Sequence, residues 1–327
     1  MTLFSMQMRA TLLILLIVVF RSLFLYKLPK KVFMGLWALA LLRLIIPYTG
    51  NLSLGFSIPS IEEMWLAFLP IFNRMPGAES NDMANTSMVF TTYSTPNFLI
   101  WVWLAGCLAL IAWFIINHLR GKRIFRFAYP VEAETVELWM NANRVRRNVK
   151  VLRCPELSSA LTYGVLRPVI LLPTTMDLDD TKRLRFVLSH ELNHIKHFDV
   201  LWKWGSSIVL CLCWYNPMVW AMHILLSRDI ELHCDECVLK KLGITKESKS
   251  EYAMALLALA EEKGTTLPLA SHFSKSATEE RILSIMHSRY APALFIGIAM
   301  LSIAILALLT FVTFMMKVGI AFTVPIA

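Results

Sequence analysis

Charge is scarce in this chain. Only 17% of its 327 residues are charged, while 57% are hydrophobic, and the mean hydropathy is +0.57. A soluble domain carries about 25% charged residues, so a plain cytosolic globule and a disordered tail are both excluded. Negative charge is scarcer than positive, with 23 Asp and Glu against 32 Lys and Arg, a net charge of +9. In so apolar a chain that excess is a topology signal rather than a nucleic-acid footprint. The six cysteines (Cys107, Cys154, Cys211, Cys213, Cys234 and Cys237) are too few and too scattered for a secreted disulfide scaffold. No small-x-small cleavage site follows the first apolar run, which argues against a removable signal peptide.

Long apolar runs are what the chain does have. Stretches from about Ala10 to Tyr26, Val32 to Tyr48, Phe98 to Asn117 and Ala291 to Met316 each approach the roughly 20 residues that a helix needs to cross a bilayer. Arg21 lies near one end of the first, where it can snorkel, and Arg43 in the second should face protein or the interface. Lys27, Lys30 and Lys31, the run His118 to Arg126, and Arg289 mark the cytoplasmic sides. The acidic loop Asn51 to Asn97 faces outward. This predicts a mainly α membrane protein with four transmembrane helices and an inserted cytoplasmic α+β domain. The parts are 1–123 with three spans and the outer loop, 124–289 as the inner domain, and 290–327 with the last span and a short outer tail.

Within the inner part, Glu132 to Arg147 reads as a helix, and Val149 to Cys154 and Val169 to Pro173 as strands of a small sheet. A helix from Thr181 to His197 follows, with Asp179 or Asp180 as its cap. It carries His190-Glu191-Leu192-Asn193-His194. Residues four apart share a helix face, so both imidazoles can address one metal ion. Glu191 is then placed to act as general base on water, the zinc-peptidase arrangement. With 8 histidines in the chain, chance supplies on the order of 0.01 such matches.

A third ligand must come from elsewhere. A metzincin would place His at position 200, and Val200 is there. A gluzincin uses a Glu on a later helix, and the candidate is Glu231. Asp235, four residues on, would then hydrogen-bond a histidine ligand. Asp199 either orients a ligand or ends a helix. His233, Cys234 and Cys237 are rival ligands, but no second Cys-x-x-Cys completes a four-ligand structural site. The segment between the motifs, with Trp202, Trp204 and Ile208 to Trp220, is nearly as apolar as a span. A full crossing would separate His194 from Glu231, so it is a re-entrant or interfacial hairpin or a buried helix pair.

These residues resemble the BlaR/MecR-type integral-membrane zinc peptidases, the β-lactam sensor-transducers and their relatives. The resemblance rests on Leu28-Pro-Lys-Lys31, Leu161 to Pro173, His190 to Asp199, Trp214 to Trp220, Asp229 to Asp235, Tyr252-Ala-Met-Ala-Leu-Leu and Glu280 to Ile285. It implies four spans around a gluzincin-like domain at the bacterial cell membrane. It also implies a protein substrate: a transcriptional repressor, another regulator or the chain itself. A second copy or a separate sensor protein are the further partner classes, with no direct nucleic-acid contact. The chain ends at Ala327, leaving no room for a penicillin-binding domain, so either a truncated sensor or a sensorless relative is expected, without direct β-lactam binding.

The expected chemistry is peptide hydrolysis. Zn2+ is held by His190, His194 and Glu231, with Glu191 as the catalytic base and Asp235 and Asp199 supporting the ligands. Val169 to Leu172 is the expected docking strand for an extended substrate. The competing readings are a general quality-control gluzincin and a non-catalytic, zinc-bearing transducer.

Overall fold

Leu3–Phe24 (α1) and Lys30–Ile45 (α2) form an antiparallel pair joined by a tight turn at Leu25 to Pro29. In the computed structural model the described residues are 3–45, 97–143, 145–262 and 268–287, with Gly297 and Leu301. The loop 51–96 and nearly all of the fourth predicted span lie outside them. Asn97–Ile124 (α3) makes up most of Ile100–Phe127, the stretch among the described residues that is long and apolar enough to cross a membrane, with a mean hydropathy of 2.1. Most of its apolar side chains are exposed, including Trp101, Leu108 and Trp113. Ala10–Phe24 forms a shorter apolar stretch. Arg21 does not snorkel: it is buried and ion-paired to Asp229 and Glu280. Carboxylates inside the protein offer it more than a route to solvent does.

A four-stranded sheet follows, with the order β1-β2-β4-β3. Its strands are Tyr129–Pro130 (β1), Lys150–Cys154 (β2), Leu161–Tyr163 (β3) and Val169–Pro173 (β4). Glu134–Ala142 (α4) lies between β1 and β2 and is shorter at both ends than its polarity pattern suggests. β4 pairs with β2 on one side and β3 on the other. It therefore has no free edge, and the expected docking of substrate on Val169 to Leu172 is corrected. The edge beside the helix that carries the His-Glu motif belongs to β3. The inward face of β4, Ile170 and Leu172, packs against Leu184, Val187, Leu188, Leu192 and Ile195. Burying each such side chain is worth about 1.5–3 kcal/mol, which fixes that helix on the sheet.

The helix is Thr181–His197 (α5). Asp180 caps it by accepting from the Arg183 amide at 3.0 Å, satisfying an orphan donor of the first turn. It stops at Phe198, which sits in the left-handed region at φ 57°. The chain turns there into Asp199–Leu212 (α6) and then Pro217–Leu242 (α7), with Asn216 capping α7 through the Met218 amide. Lys246–Glu262 (α8) and Pro268–His287 (α9) complete the described chain.

The α6–α7 hairpin packs against α1 and α2 in one apolar core built from Ile14, Ile17, Phe33, Trp37, Leu210, Met222, Leu226 and Ile230. At its tip, Asn216 donates to Thr11 at 2.8 Å. Trp214 donates to the Trp103 carbonyl at 3.2 Å, and Trp103 donates back to the Leu212 carbonyl at 3.0 Å. Gly106 makes this approach possible, because a Cβ there would lie 2.3 Å from the Trp214 indole. At its base, Asp229 meets Arg21. The hairpin thus runs alongside α1 from Thr11 to Arg21, and Leu201, Trp204, Ile208, Tyr215 and Ile224 remain exposed on it. The described residues are mainly helical with one small sheet.

Candidate metal centre and active site

The i, i+4 spacing on α5 places the rings of His190 and His194 4.8 Å apart and edge-on, with their Nε2 atoms 3.2 Å from each other. α7 crosses α5 and brings Glu231 Oε2 to 3.3 Å from His190 Nε2 and 3.7 Å from His194 Nε2. Both histidines are buried. Three donor atoms therefore point at one spot. Zinc bonds of about 2.0–2.1 Å in a tetrahedron place ligand atoms about 3.3 Å apart, so the three separations fit that ion.

The opposite nitrogens are held by carboxylates. His194 Nδ1 donates to Asp199 Oδ2 at 2.7 Å, and His190 Nδ1 lies 3.2 Å from Asp235 Oδ1. A carboxylate on Nδ1 fixes the tautomer that turns the Nε2 lone pair forward. Converging lone pairs and a carboxylate repel one another unless a cation sits between them, which is the demand that a metal meets. Burial opposes charging His194, yet the Glu231 carboxylate, with Cys234 and Asp199, outweighs it and holds its pKa well above the ordinary histidine value. Burial likewise opposes charge on Glu231, and His194 and His190 reverse this and hold it well below the usual carboxylate range.

Asp199 reaches His194 because Phe198 turns left-handed. A bulky residue there is uncommon, and the Arg147 guanidinium stacks over its ring at 3.9 Å. Glu191, the next residue after His190, is buried, and its Oε2 accepts from the Thr162 hydroxyl of β3 at 2.7 Å. That bond ties the carboxylate to the edge strand.

Four contributors escape sequence reasoning. Thr162 is one. Arg281 of α9 grips Asp235 with a two-pronged hold, Nε to Oδ2 at 2.8 Å and Nη2 to Oδ1 at 2.7 Å, and reaches 3.7 Å from Glu231. Burial resists charge on Asp235, and Arg281 overcomes it and holds the carboxyl well below its usual range. Tyr252 of α8 donates to Asp235 Oδ1 at 2.7 Å. Lys203 of α6 reaches Glu231 Oε1 at 3.3 Å, leaving Oε2 for the histidines. Thr162, Tyr252 and Arg281 all lie in segments that carried the family resemblance. That was their one signal, because none has a motif spacing of its own.

His197 and His233 stack edge-on away from this centre, with Cys237 beside them. Cys234 turns the other way, toward Asp199 and His194 at 3.3 Å.

The Regulatory protein BlaR1 of Bacillus licheniformis is 28% identical over 201 residues, 59% of this chain and 33% of that protein. The Regulatory protein BlaR1 of Staphylococcus aureus is 23% identical over 243 residues, 68% of this chain and 39% of that protein. The Methicillin resistance mecR1 protein of Staphylococcus aureus is 20% identical over 175 residues, 50% of this chain and 29% of that protein. The matched regions thus span about a third of the length of these relatives. The sequence pattern of a peptidase family, described as BlaR1 peptidase M56, matches residues 1–285. A chain matched over so much of its length, with its histidines and carboxylates gathered at one buried spot, belongs to the BlaR1 peptidase M56 family.

Proposed function

We propose that this chain is a membrane-embedded zinc metalloendopeptidase of the gluzincin type, working at the cytoplasmic face in signal transduction. The observation that carries the reading is the convergence of His190, His194 and Glu231 on one point, with Asp199 and Asp235 behind the two imidazoles. In this reading those three residues hold Zn2+. When bound, the ion supplies Lewis acidity for the scissile carbonyl and acidifies water toward neutrality.

The chain's own groups do the rest. Glu191 takes a proton from the attacking water and delivers it to the leaving amine. Thr162 fixes the Glu191 carboxylate in one orientation. The free edge of β3, Leu161–Tyr163, accepts an extended peptide by strand addition, so the scissile bond passes beside Glu191. Arg281 and Tyr252 hold Asp235, which holds His190.

The membrane arrangement follows the same reading. Spans at Ala10 to Tyr26, Val32 to Tyr48, Phe98 to Asn117 and Ala291 to Met316 surround the inner domain 124–289. The α6–α7 hairpin enters the bilayer beside α1 as a re-entrant element, with exposed Trp204, Ile208 and Ile224 toward lipid. The metal centre then sits at the inner membrane surface. The substrate is a transcriptional repressor, another regulator or the chain itself, in keeping with the regulatory names of the relatives.

The test is metal removal from the purified full chain in detergent. Chelation abolishes peptide-bond cleavage and added zinc restores it. Cleavage that survives complete removal of metal overturns the proposal.

A further inference from the structure

One helical turn beyond the catalytic cluster, the same two helices bring together a second set of ligating side chains. His197 lies on α5, and His233 and Cys237 lie on α7. Each offers one ligand atom, and these atoms fall within 4.8 Å of one another. The two imidazoles meet edge-on with centroids 4.7 Å apart. Cys237 Sγ is 3.9 Å from both ring nitrogens of His233.

The hydrogen bonds leave these atoms available. His197 Nδ1 donates to the Asn193 carbonyl at 2.9 Å, so its Nε2 keeps a free lone pair. His233 is only 5% exposed, and among the described residues the Cys237 sulfur is its one hydrogen-bonding neighbour. A buried imidazole normally finds an oxygen partner, and this one faces a thiol and a second imidazole instead. Cys234 does not compete, because its thiol is engaged with Asp199 and His194 at 3.3 Å.

We propose that His197, His233 and Cys237 form a second transition-metal site, of the zinc class, distinct from the catalytic centre. Two imidazoles and a thiolate are the donors zinc prefers, and calcium and magnesium, which take oxygen ligands, are excluded. Binding removes the Cys237 thiol proton to solvent and draws the donors in to roughly 3.3–3.6 Å. Three protein ligands leave one coordination position open. The ion cross-links α5 to α7, the two helices that carry the catalytic ligands, and so fixes their register. The site shares no donor with His190, His194 or Glu231, so it stands or falls separately from the proposed function.

The experiment uses the full chain in detergent, stripped of metal and reloaded with Co2+ or Zn2+. A Cys237 thiolate on cobalt gives a near-ultraviolet charge-transfer band, which a centre of two histidines and a glutamate cannot give. The wild type binds about two zinc equivalents and shows the band. Cys237→Ser binds about one and loses it, whereas Cys234→Ser and Glu231→Gln both retain it. The one equivalent retained by Cys237→Ser also shows that the variant is folded. A band that survives Cys237→Ser, or a zinc content unchanged by that substitution, overturns the proposal. A band lost in Cys234→Ser instead also overturns it. Zinc content unchanged in Glu231→Gln would count against the catalytic ligand set and leave this site standing.

Discussion

Arg21 of α1 donates from Nε to Oδ1 of Asp229 at 2.8 Å, across 208 residues of sequence, and both side chains are buried. Asp229 lies two residues before Glu231 on α7, and Trp37 of α2 donates to its other oxygen at 2.7 Å. The second arm of Arg21 reaches Glu280 at 2.8 Å, the residue before Arg281. The first two apolar helices are thus bonded to α7, which carries Glu231, and α1 also to α9, which carries Arg281.

Removing Arg21 leaves Asp229 and Glu280 without their buried partner. Arg21→Ala is expected to cost about 3–5 kcal/mol of stability, the usual cost of breaking a buried pair. Thermal unfolding in detergent of the wild type, Arg21→Ala, Asp229→Asn and the double variant checks this. The double variant should lose less than the two single losses added together. Additive losses would show that the pair is not coupled.

The carboxylates behind the histidines predict a metal-affinity effect. Asp199→Asn and Asp235→Asn should each weaken zinc binding about 10–100-fold while the fold persists. Competition with a chromogenic chelator measures it. Asp199→Asn acts through His194 and the neighbouring Cys234 thiol. Asp235→Asn also releases Arg281 and Tyr252, so its loss should be the larger.

The Thr162 hydroxyl predicts a catalytic effect without a metal effect. Thr162→Val keeps the β-branched shape of the strand residue and removes the bond to Glu191. A hydrogen bond to a charged group is worth about 1.5–3 kcal/mol, so turnover should fall roughly 10–100-fold. Zinc content should stay the same. Parallel loss of zinc would mean that Thr162 supports the ligands instead.

Part of this arrangement is legible in the sequence. His190 and His194 share a face because they are four residues apart on a helix, and Glu231 and Asp235 share one for the same reason. Local periodicity suffices for that. Asp199 was ambiguous because its role depends on the left-handed turn at Phe198, which no hydrophobic pattern encodes. Arg281, Tyr252 and Lys203 reach the site only through packing of α9, α8 and α6, so no spacing announced them. Sheet order is likewise non-local: a short apolar run marks a strand buried on its faces, and only the structure shows that β2 and β3 also pair with both edges of β4. Arg21 looked like a snorkelling residue until its distant carboxylates were in view.

In the proposed mechanism Glu191 moves the proton at a metal held by His190, His194 and Glu231. The most direct measurement compares the wild type with Glu191→Gln, an almost isosteric change, in the full chain purified in detergent. Bound zinc is quantified, and cleavage of the chain itself and of an unstructured protein substrate is followed on a gel. Equal zinc in both proteins and cleavage at least about 100-fold slower in Glu191→Gln are expected. Cleavage by Glu191→Gln at the wild-type rate would contradict it, as would a wild type that holds no zinc.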